Sequence, residues 1–155
     1  MAGTPAVLVC ERAGVAHRVH AYEPGPGPYG PAAAAALGVE PERLLKTLLA
    51  ELDGRLVCAV VPSSGSLDLK ALASGLGGKR AAMAAPAAAE RSTGYVVGGI
   101  SPLGQRAALP TAVDETAQLH DTVYVSAGRR GLSLELAPVD LVRLTAAVVL
   151  AVTRT

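Results

Sequence analysis

The clearest structural signal in the sequence is the dipeptide Asp53-Gly54, which lies between two apolar runs at residues 47–52 and 56–61. Each run has the length of a β-strand, and Asp-Gly is a preferred pair for the two-residue turns that join antiparallel strands. The sequence therefore predicts an antiparallel hairpin that closes at Asp53-Gly54.

Helices are predicted on both sides of this hairpin. Thr4 and Pro5 precede an apolar stretch that stops at Gly14, which is the usual order of N-cap, first-turn proline and terminal glycine. Similar signals predict helices at residues 31–37, 68–76 and 86–91, a turn at 40–45, and a last helix after Pro138.

Further strands are predicted from alternation and short apolar runs at residues 16–22, 95–100, 122–126 and 132–136. Residues 23–30 hold three prolines and three glycines and are expected to form a loop. Because helices are scattered among strands and the hairpin favours antiparallel pairing, we expect an α+β fold with a mainly antiparallel sheet. Residues 1–155 fit one domain.

The composition limits the core and the partners. Half of the residues are apolar, yet Phe and Trp are absent and only four Tyr occur, so the core must consist of Ala, Val and Leu. The formal net charge is only +1. A protein that grips a nucleic acid alone usually carries a strong basic excess, so this chain would bind one weakly, touch a small part of it, or share the work with a partner.

The cysteines and the apolar segments predict a soluble protein with reduced thiols. Cys10 and Cys58 form no CxxC pair, which argues against a disulfide framework or zinc site, and both are expected to be small core residues. No N-terminal signal segment is evident. The apolar stretch at residues 141–152 is interrupted by Arg143 and is shorter than the ~20 residues that span a bilayer. We expect a cytoplasmic protein.

Several catalytic motifs are absent. The segment SGLGGKR at residues 74–80 lacks the first glycine and the final hydroxyl of a phosphate loop, so a helix end followed by a basic turn is favoured. His17, His20 and His120 form no HExxH, and the first two would face opposite sides of a strand. No G-x-S-x-G occurs, which leaves serine-hydrolase chemistry without support.

Two features indicate a binding site. The run RSTGYVVGGISPLGQ at residues 91–105 has adjacent glycines beside Ser101, and their uncovered N–H groups would let a ligand oxygen approach the main chain. Lys46 stands at the entrance to a predicted strand, within LLKTLL. Taken alone, this pattern fits either a lysine that reaches to solvent or one that points into a cleft.

Six segments of the chain together resemble the YbaK family of aminoacyl-tRNA deacylases, which is related to the editing domain inserted in bacterial prolyl-tRNA synthetases. They are TPAVLVCERAGVAHRVHAYE, PERLLKTLL, SGSLDLKALA, AERSTGYVVGGISPLGQ, LPTAVDE and VYVSAGRRGLSLELAPVDL. The resemblance covers nearly the entire chain, and its most specific parts are RSTGYVVGGISPLGQ, KTLL and YVSAGRRGL. It implies a mixed, barrel-like sheet core surrounded by helices.

The resemblance also implies a function. Prolyl-tRNA synthetase mischarges its tRNA with cysteine, and selection by size between such small side chains is weak, so a second site must clear the error. YbaK-like proteins cleave Cys-tRNA(Pro) at its 3′ acceptor end while associated with the synthetase and the tRNA, which implies a ternary complex. The substrate thiol is thought to attack the ester and form a cyclic thiolactone, so the protein orients the substrate and stabilises the oxyanion. No metal or cofactor is implied.

The site residues follow from the same resemblance. Lys46 is expected to be central, holding the terminal phosphate or the ester, and the resemblance favours the cleft reading of this lysine. Gly98, Gly99 and Ser101 would form the backbone and hydroxyl wall of the catalytic site. The substrate-binding residues would be Tyr22, Tyr29, Thr47, Ser126 and Ser133.

Ser133 departs from the family pattern, because a relative has GLDIEL where this chain has GLSLEL. If the acidic residue holds the substrate's ammonium group, this chain lacks that contact. Two alternatives therefore stay open: a deacylase for another small aminoacyl-tRNA such as Ala-tRNA(Pro), and a non-catalytic module that binds aminoacyl-tRNA or a synthetase. A nucleotide-binding regulator would depend on the glycine-rich loops alone.

Overall fold

Helices alternate with short strands along the chain. In this computed structural model, which describes residues 3–26 and 29–155, the elements in chain order are α1 (Pro5–Ala13), β1 (His17–Ala21), α2 (Pro31–Leu37), β2 (Leu45–Leu52), β3 (Arg55–Pro62), β4 (Ser66–Leu67), α3 (Leu69–Gly75), β5 (Ala81–Met83), α4 (Pro86–Thr93), β6 (Thr111–Asp114), a 3₁₀ helix (Glu115–Leu119), β7 (Val123–Arg129), β8 (Leu132–Leu136), α5 (Pro138–Thr145), β9 (Val148–Leu150) and β10 (Thr153–Arg154). All of the predicted helices are present.

The predicted hairpin is confirmed as β2 and β3, which pair antiparallel over their full length. Its two turn residues, Asp53 and Gly54, have φ angles of 51° and 85°. Positive φ at both central residues is the requirement of a type I′ turn, which matches the twist of the flanking strands. The Asp-Gly signal therefore located this turn correctly.

The described residues form three sheets, and one of these sheets is mixed. The strand orders are β1-β8-β7, β10-β4 and β5-β2-β3-β6-β9. In the five-stranded sheet β6 runs parallel to both β3 and β9, whereas the other pairings are antiparallel. A bridge between Leu44 and Tyr124 links the two larger sheets, and within the described residues the strands do not close into a barrel. The α+β class and the mainly antiparallel, mixed sheet are confirmed.

The strand predicted at residues 95–100 is wrong, because this segment is a series of turns. Gly94 and Gly98 have φ angles of 80° and 97°, which extended backbone does not allow. The apolar character of the segment comes partly from Tyr95, which is buried and donates its hydroxyl hydrogen to the Leu103 carbonyl at 2.7 Å. The loop predicted at 23–30 is confirmed where it is described, and residues 27 and 28 lie outside the described residues.

The main core lies between the two larger sheets and contains side chains from both ends of the chain. Val7, Leu45, Val60, Val125 and Leu141 are among its buried members, as the composition predicts for a core without Phe or Trp. Both cysteines are fully buried in the same core. Burial raises the pKa of the Cys58 thiol to about 12, and it also raises that of Cys10, so both act as small apolar residues.

Candidate functional site

A polar face on the three-stranded sheet positions most of the predicted site residues. Side chains alternate along a strand, so Val125 and Leu134 face the core while Ser126 and Ser133 face the other side. Ser133 lies between its register partners, Ser126 of β7 and His20 of β1. Three neighbouring strands therefore place two hydroxyls and an imidazole in one row.

Tyr29 covers Ser133. The Ser133 hydroxyl donates to the Val125 carbonyl at 3.2 Å, so it accepts the hydrogen of the Tyr29 hydroxyl at 2.9 Å. Ser133 is fully buried, and burial raises the pKa of Tyr29. The position at which a relative carries an acid is therefore occupied here by a neutral serine–tyrosine pair. With Tyr29 in this position, a substrate has no direct access to Ser133.

The glycine-rich turn packs directly on the β7–β8 hairpin. Ser126 donates its hydroxyl hydrogen to the Gly99 carbonyl at 2.9 Å and accepts the Gly128 N–H at 3.1 Å. A Cβ added at Gly99 would lie 2.7 Å from the Arg129 Cα, so only glycine allows this approach. Ser126 and the glycine turn, two separately predicted parts of the site, are therefore in direct contact.

Tyr22, Tyr29 and Gly98 meet in a narrow crevice, together with Pro24 and Arg130. Its volume is about 10 Å³, which is roughly one water molecule. In this conformation the crevice is too small for an aminoacyl group. A larger cleft of about 190 Å³ adjoins it on the other side of the glycine turn and shares Arg130 with it.

Lys46 is the second residue of β2, close to the Leu44–Tyr124 bridge that joins the two larger sheets. Leu44 and Tyr124 form a parallel bridge between the two sheets. Lys46 comes two residues after Leu44, and Ser126 comes two residues after Tyr124. Because residues two apart share a face, Lys46 and Ser126 lie on the same side of the two sheets. Lys46 is only partly exposed, and within residues 3–26 and 29–155 it forms no ion pair. Its ammonium group is therefore available for an anionic or polarised ligand.

Two predicted hydroxyls lie apart from this surface. Thr47 points to the opposite side of β2 from Lys46, towards the core residues Leu45 and Leu49, and its buried hydroxyl has no partner among the described residues. Ser101 is fully buried, and its hydroxyl accepts the Leu103 N–H at 3.2 Å within the turn that follows the glycines. In this arrangement Ser101 shapes the turn.

A charged cluster at the edge of the polar face was missed by the sequence analysis. Glu135 accepts hydrogen bonds from Thr122 at 2.6 Å and from His20 Nε2 at 2.9 Å. Arg43 donates to the Thr122 hydroxyl and lies 5.4 Å from the centre of the Tyr124 ring. The only sequence signal was the alternation of LSLEL, which places Glu135 on the same face as Ser133.

We expect Glu135→Gln to lower the free energy of unfolding by about 1–3 kcal/mol at pH 7, because it weakens a network of charged hydrogen bonds. Burial alone would raise the pKa of Glu135, but the hydrogen bonds from Thr122 and His20 outweigh it and hold the pKa below its ordinary value of 4.5. The folded state thus favours the carboxylate. Its stabilisation is complete above pH 4.5 and disappears as the pH falls through the lowered value.

Denaturant unfolding of wild type and Glu135→Gln across pH 3–7 checks this prediction. The difference in the free energy of unfolding between the two proteins should become smaller as the pH falls towards 3. A difference that stays constant with pH would show that the carboxylate charge is not what stabilises the fold. Glu51→Gln is the matched control, because Glu51 is exposed on β2.

The part of the chain that the structure describes offers neither a metal-binding cluster nor a membrane-spanning helix. It contains no group of three or more His, Cys, Asp or Glu side chains arranged to hold a metal ion. Over the same residues, no helix is both long and apolar enough to cross a membrane.

Comparison with known proteins identifies the family. The family described as "Aminoacyl-tRNA editing domain" matches residues 30–144, a range that includes Lys46, the glycine turn, Ser126 and Ser133. The chain belongs to the aminoacyl-tRNA editing domain family. The resemblance stated from the sequence is thereby confirmed.

Two curated proteins show where this editing domain occurs. An Enterococcus faecalis protein named "Putative Cys-tRNA(Pro)/Cys-tRNA(Cys) deacylase EbsC" is 42% identical over 114 residues, which are 72% of this chain and 69% of that protein. A proline–tRNA ligase from Moorella thermoacetica is 38% identical over 68 residues, which are 44% of this chain and 12% of the ligase. Relatives of this editing domain therefore include a separate protein and part of a synthetase.

Solved structures confirm the fold. A structure described as a "putative trans-editing enzyme for prolyl tRNA synthetase" has a TM-score of 0.82 at 23% identity and covers 97% of this chain and 93% of its own. A second, described as a hypothetical protein, has a TM-score of 0.88 at 27% identity and covers 97% and 100%. This protein thus has the same α+β architecture as the two solved structures.

Proposed function

We propose that this protein is a trans-editing deacylase that clears mischarged aminoacyl-tRNA, with Cys-tRNA(Pro) as its main substrate. The observation that carries this proposal is the contact of the Gly98-Gly99 turn with Ser126, which is in line with Lys46 across the Leu44–Tyr124 bridge, within the region that matches the editing family. The name of the Enterococcus relative supports the cysteinyl substrate.

The proposed reaction uses the substrate's own nucleophile. The cysteine thiolate attacks the ester carbonyl, a C–S bond forms, and the C–O bond to the terminal ribose breaks. The ribose oxygen takes up a proton, and the products are free tRNA and a cysteine thiolactone. No residue of the chain forms a covalent bond in this step, which fits a site that contains no activated serine or cysteine.

Each site residue then has a role in binding or electrostatics. Lys46 holds the ester end of the substrate and favours the negative charge that develops on the carbonyl oxygen. The backbone of Gly98 and Gly99 forms the wall of the site, and Ser126 fixes that wall through the Gly99 carbonyl. Tyr22 and Tyr29 close the amino-acid side, with Ser133 as the support of Tyr29. Thr47 and Ser101 support the site from its buried side.

The near-neutral charge of the chain favours shared recognition of the tRNA. A net charge of +1 gives little general attraction to a polyanion, so a second protein that already holds the tRNA would raise its local concentration. We propose that prolyl-tRNA synthetase is this partner, in a ternary complex with the tRNA. Because charging of tRNA takes place in the cytoplasm, we propose that this reaction also takes place in the cytoplasm.

Deacylation of three substrates tests this function: Cys-tRNA(Pro), Ala-tRNA(Pro) and correctly charged Pro-tRNA(Pro), each with and without prolyl-tRNA synthetase. We expect rapid loss of cysteine, faster with the synthetase present, while the alanyl and prolyl esters decay at the buffer rate. If only the alanyl ester is cleaved, the protein is still a deacylase, but water and not the substrate thiol is the nucleophile. Decay of all three esters at the buffer rate would leave a binding module.

A further inference from the structure

Three arginines surround the glycine-rich turn on its outer side. Arg106, Arg129 and Arg130 are all exposed, although they come from two distant parts of the sequence. A Cβ added at Gly94 would lie 3.4 Å from Arg106 Nε, and one added at Gly98 would lie 3.3 Å from Arg130 Cδ. The Glu90 carboxylate also lies at this turn, where it accepts the Val97 N–H at 2.9 Å, so three arginines stand against one acid and the local balance is positive.

The cleft between the turn and Arg129 and Arg130 is partly charged and partly apolar, and Arg106 lies next to it, beside Gly94. It has a volume of about 190 Å³ and is lined by Gly94, Tyr95, Val96, Val97, Gly99, Gly128, Arg129 and Arg130. Val96 is 72% exposed and Val97 is 49% exposed, so exposed apolar side chains and two arginines line the same cleft. This combination suits a nucleotide, whose phosphate pairs with arginine while its ribose and base contact apolar side chains.

The location of the cleft favours a nucleic acid over an acidic protein. Gly99 lies in the cleft and accepts the Ser126 hydroxyl hydrogen, while Gly98 lines the adjoining crevice. An aminoacyl ester held at this turn is covalently attached to a terminal nucleotide, and the strand must leave the site across the neighbouring surface. Arg130 is already fixed there, because its Nη2 donates to the Gly25 carbonyl at 2.6 Å.

We propose that Arg106, Arg129 and Arg130 form a phosphate-binding rim that holds the backbone of the single-stranded 3′ end of the aminoacyl-tRNA. This inference rests on the proposed function and assigns the place where the tRNA backbone leaves the site. A small local concentration of charge also reconciles nucleic-acid binding with a nearly neutral chain, because the rim touches only a few phosphates.

The salt dependence of deacylation tests the rim. Each phosphate contact on a single strand contributes about 0.7 to the slope of log(kcat/KM) against log[salt]. We expect Arg106→Gln and Arg129→Gln each to reduce this slope by about 0.7, and the double variant to reduce it by about twice as much. Arg55→Gln is the matched control, because Arg55 is exposed on β3, away from the turn.

A second substrate separates phosphate binding from damage to the site. Cysteine ethyl ester has the same reacting ester but no phosphate, so the rim variants should lose much more rate on the tRNA than on this ester. An unchanged salt slope, or equal losses on both substrates, would overturn the rim. Weaker association with the synthetase at an unchanged slope would instead assign the arginines to an acidic protein surface.

Binding of uncharged tRNA(Pro) tests the arginine rim even if the protein is not a deacylase, because binding requires no cleavage of an ester. If the wild type cleaves no ester, the deacylase proposal fails, but the salt slope of tRNA binding still measures the rim. A lower binding slope in Arg129→Gln would then support the rim in a binding module. The same slope in wild type and both variants would overturn it.

Discussion

Lys46→Ala is expected to lower kcat/KM for Cys-tRNA(Pro) by about 100-fold or more while the protein remains folded. Removal of one preorganised donor to a developing oxyanion typically costs about this much. Lys46 forms no ion pair with any described residue, so its removal leaves no buried partner charge behind. The loss should therefore appear in the rate and hardly in the free energy of unfolding.

Two further lysine variants make this prediction specific. Lys46→Arg keeps the charge but changes its geometry, and it should recover part of the rate. Lys70→Ala removes an exposed lysine on α3 and should behave as the wild type. A rate for Lys46→Ala within about threefold of wild type would contradict the electrostatic role of this lysine, since one charged hydrogen bond is worth more.

Gly99→Ala is expected to reduce deacylation by about 100-fold, because displacement of a site by about 1 Å is sufficient for such a loss. The added Cβ would lie 2.7 Å from the Arg129 Cα and 3.0 Å from the Arg130 backbone nitrogen. Both contacts are with backbone atoms, so rotation of a side chain cannot relieve them. The glycine turn must move away from the β7–β8 hairpin, which breaks the bond from Ser126 to the Gly99 carbonyl.

Two control variants separate the steric clash at residue 99 from other effects of a substitution by alanine. A Cβ added at Gly3 meets nothing within 4 Å, so Gly3→Ala should keep both rate and stability. Ser126→Ala breaks the same hydrogen bond without a collision and should cost about tenfold, in line with one hydrogen bond of roughly 1 kcal/mol. Full activity of Gly99→Ala would exclude the turn from the site.

The parts of the fold that local chemistry determines were predictable. Asp53-Gly54 specifies its turn through positive φ, and Thr4 caps α1 by accepting the Val7 N–H. The strands β6 and β9 were missed because each is only three or four residues long and pairs with distant parts of the chain. Their extended conformation depends on tertiary contacts that no short window of sequence contains.

The candidate site was predictable only in part, for related reasons. Family resemblance indicated Lys46, the glycine turn and Ser126. The fold places Gly99 against Ser126 and puts Lys46 in line with Ser126 across the two sheets. Alternation along β2 could have separated Lys46 from Thr47, because neighbouring residues of a strand face opposite sides. The cluster of Glu135 with His20, Thr122 and Arg43 depends on the pairing of three strands, and no local motif encodes it.

Blocking the substrate thiol separates attack by the substrate itself from attack by any other nucleophile. We would compare the deacylation of Cys-tRNA(Pro) with that of S-methylcysteinyl-tRNA(Pro), which has nearly the same shape but no free thiol. We expect rapid release of cysteine as its thiolactone and decay of the methylated ester at the buffer rate. Equal cleavage of both esters would contradict the thiol mechanism, because a nucleophile other than the substrate thiol would then perform the reaction.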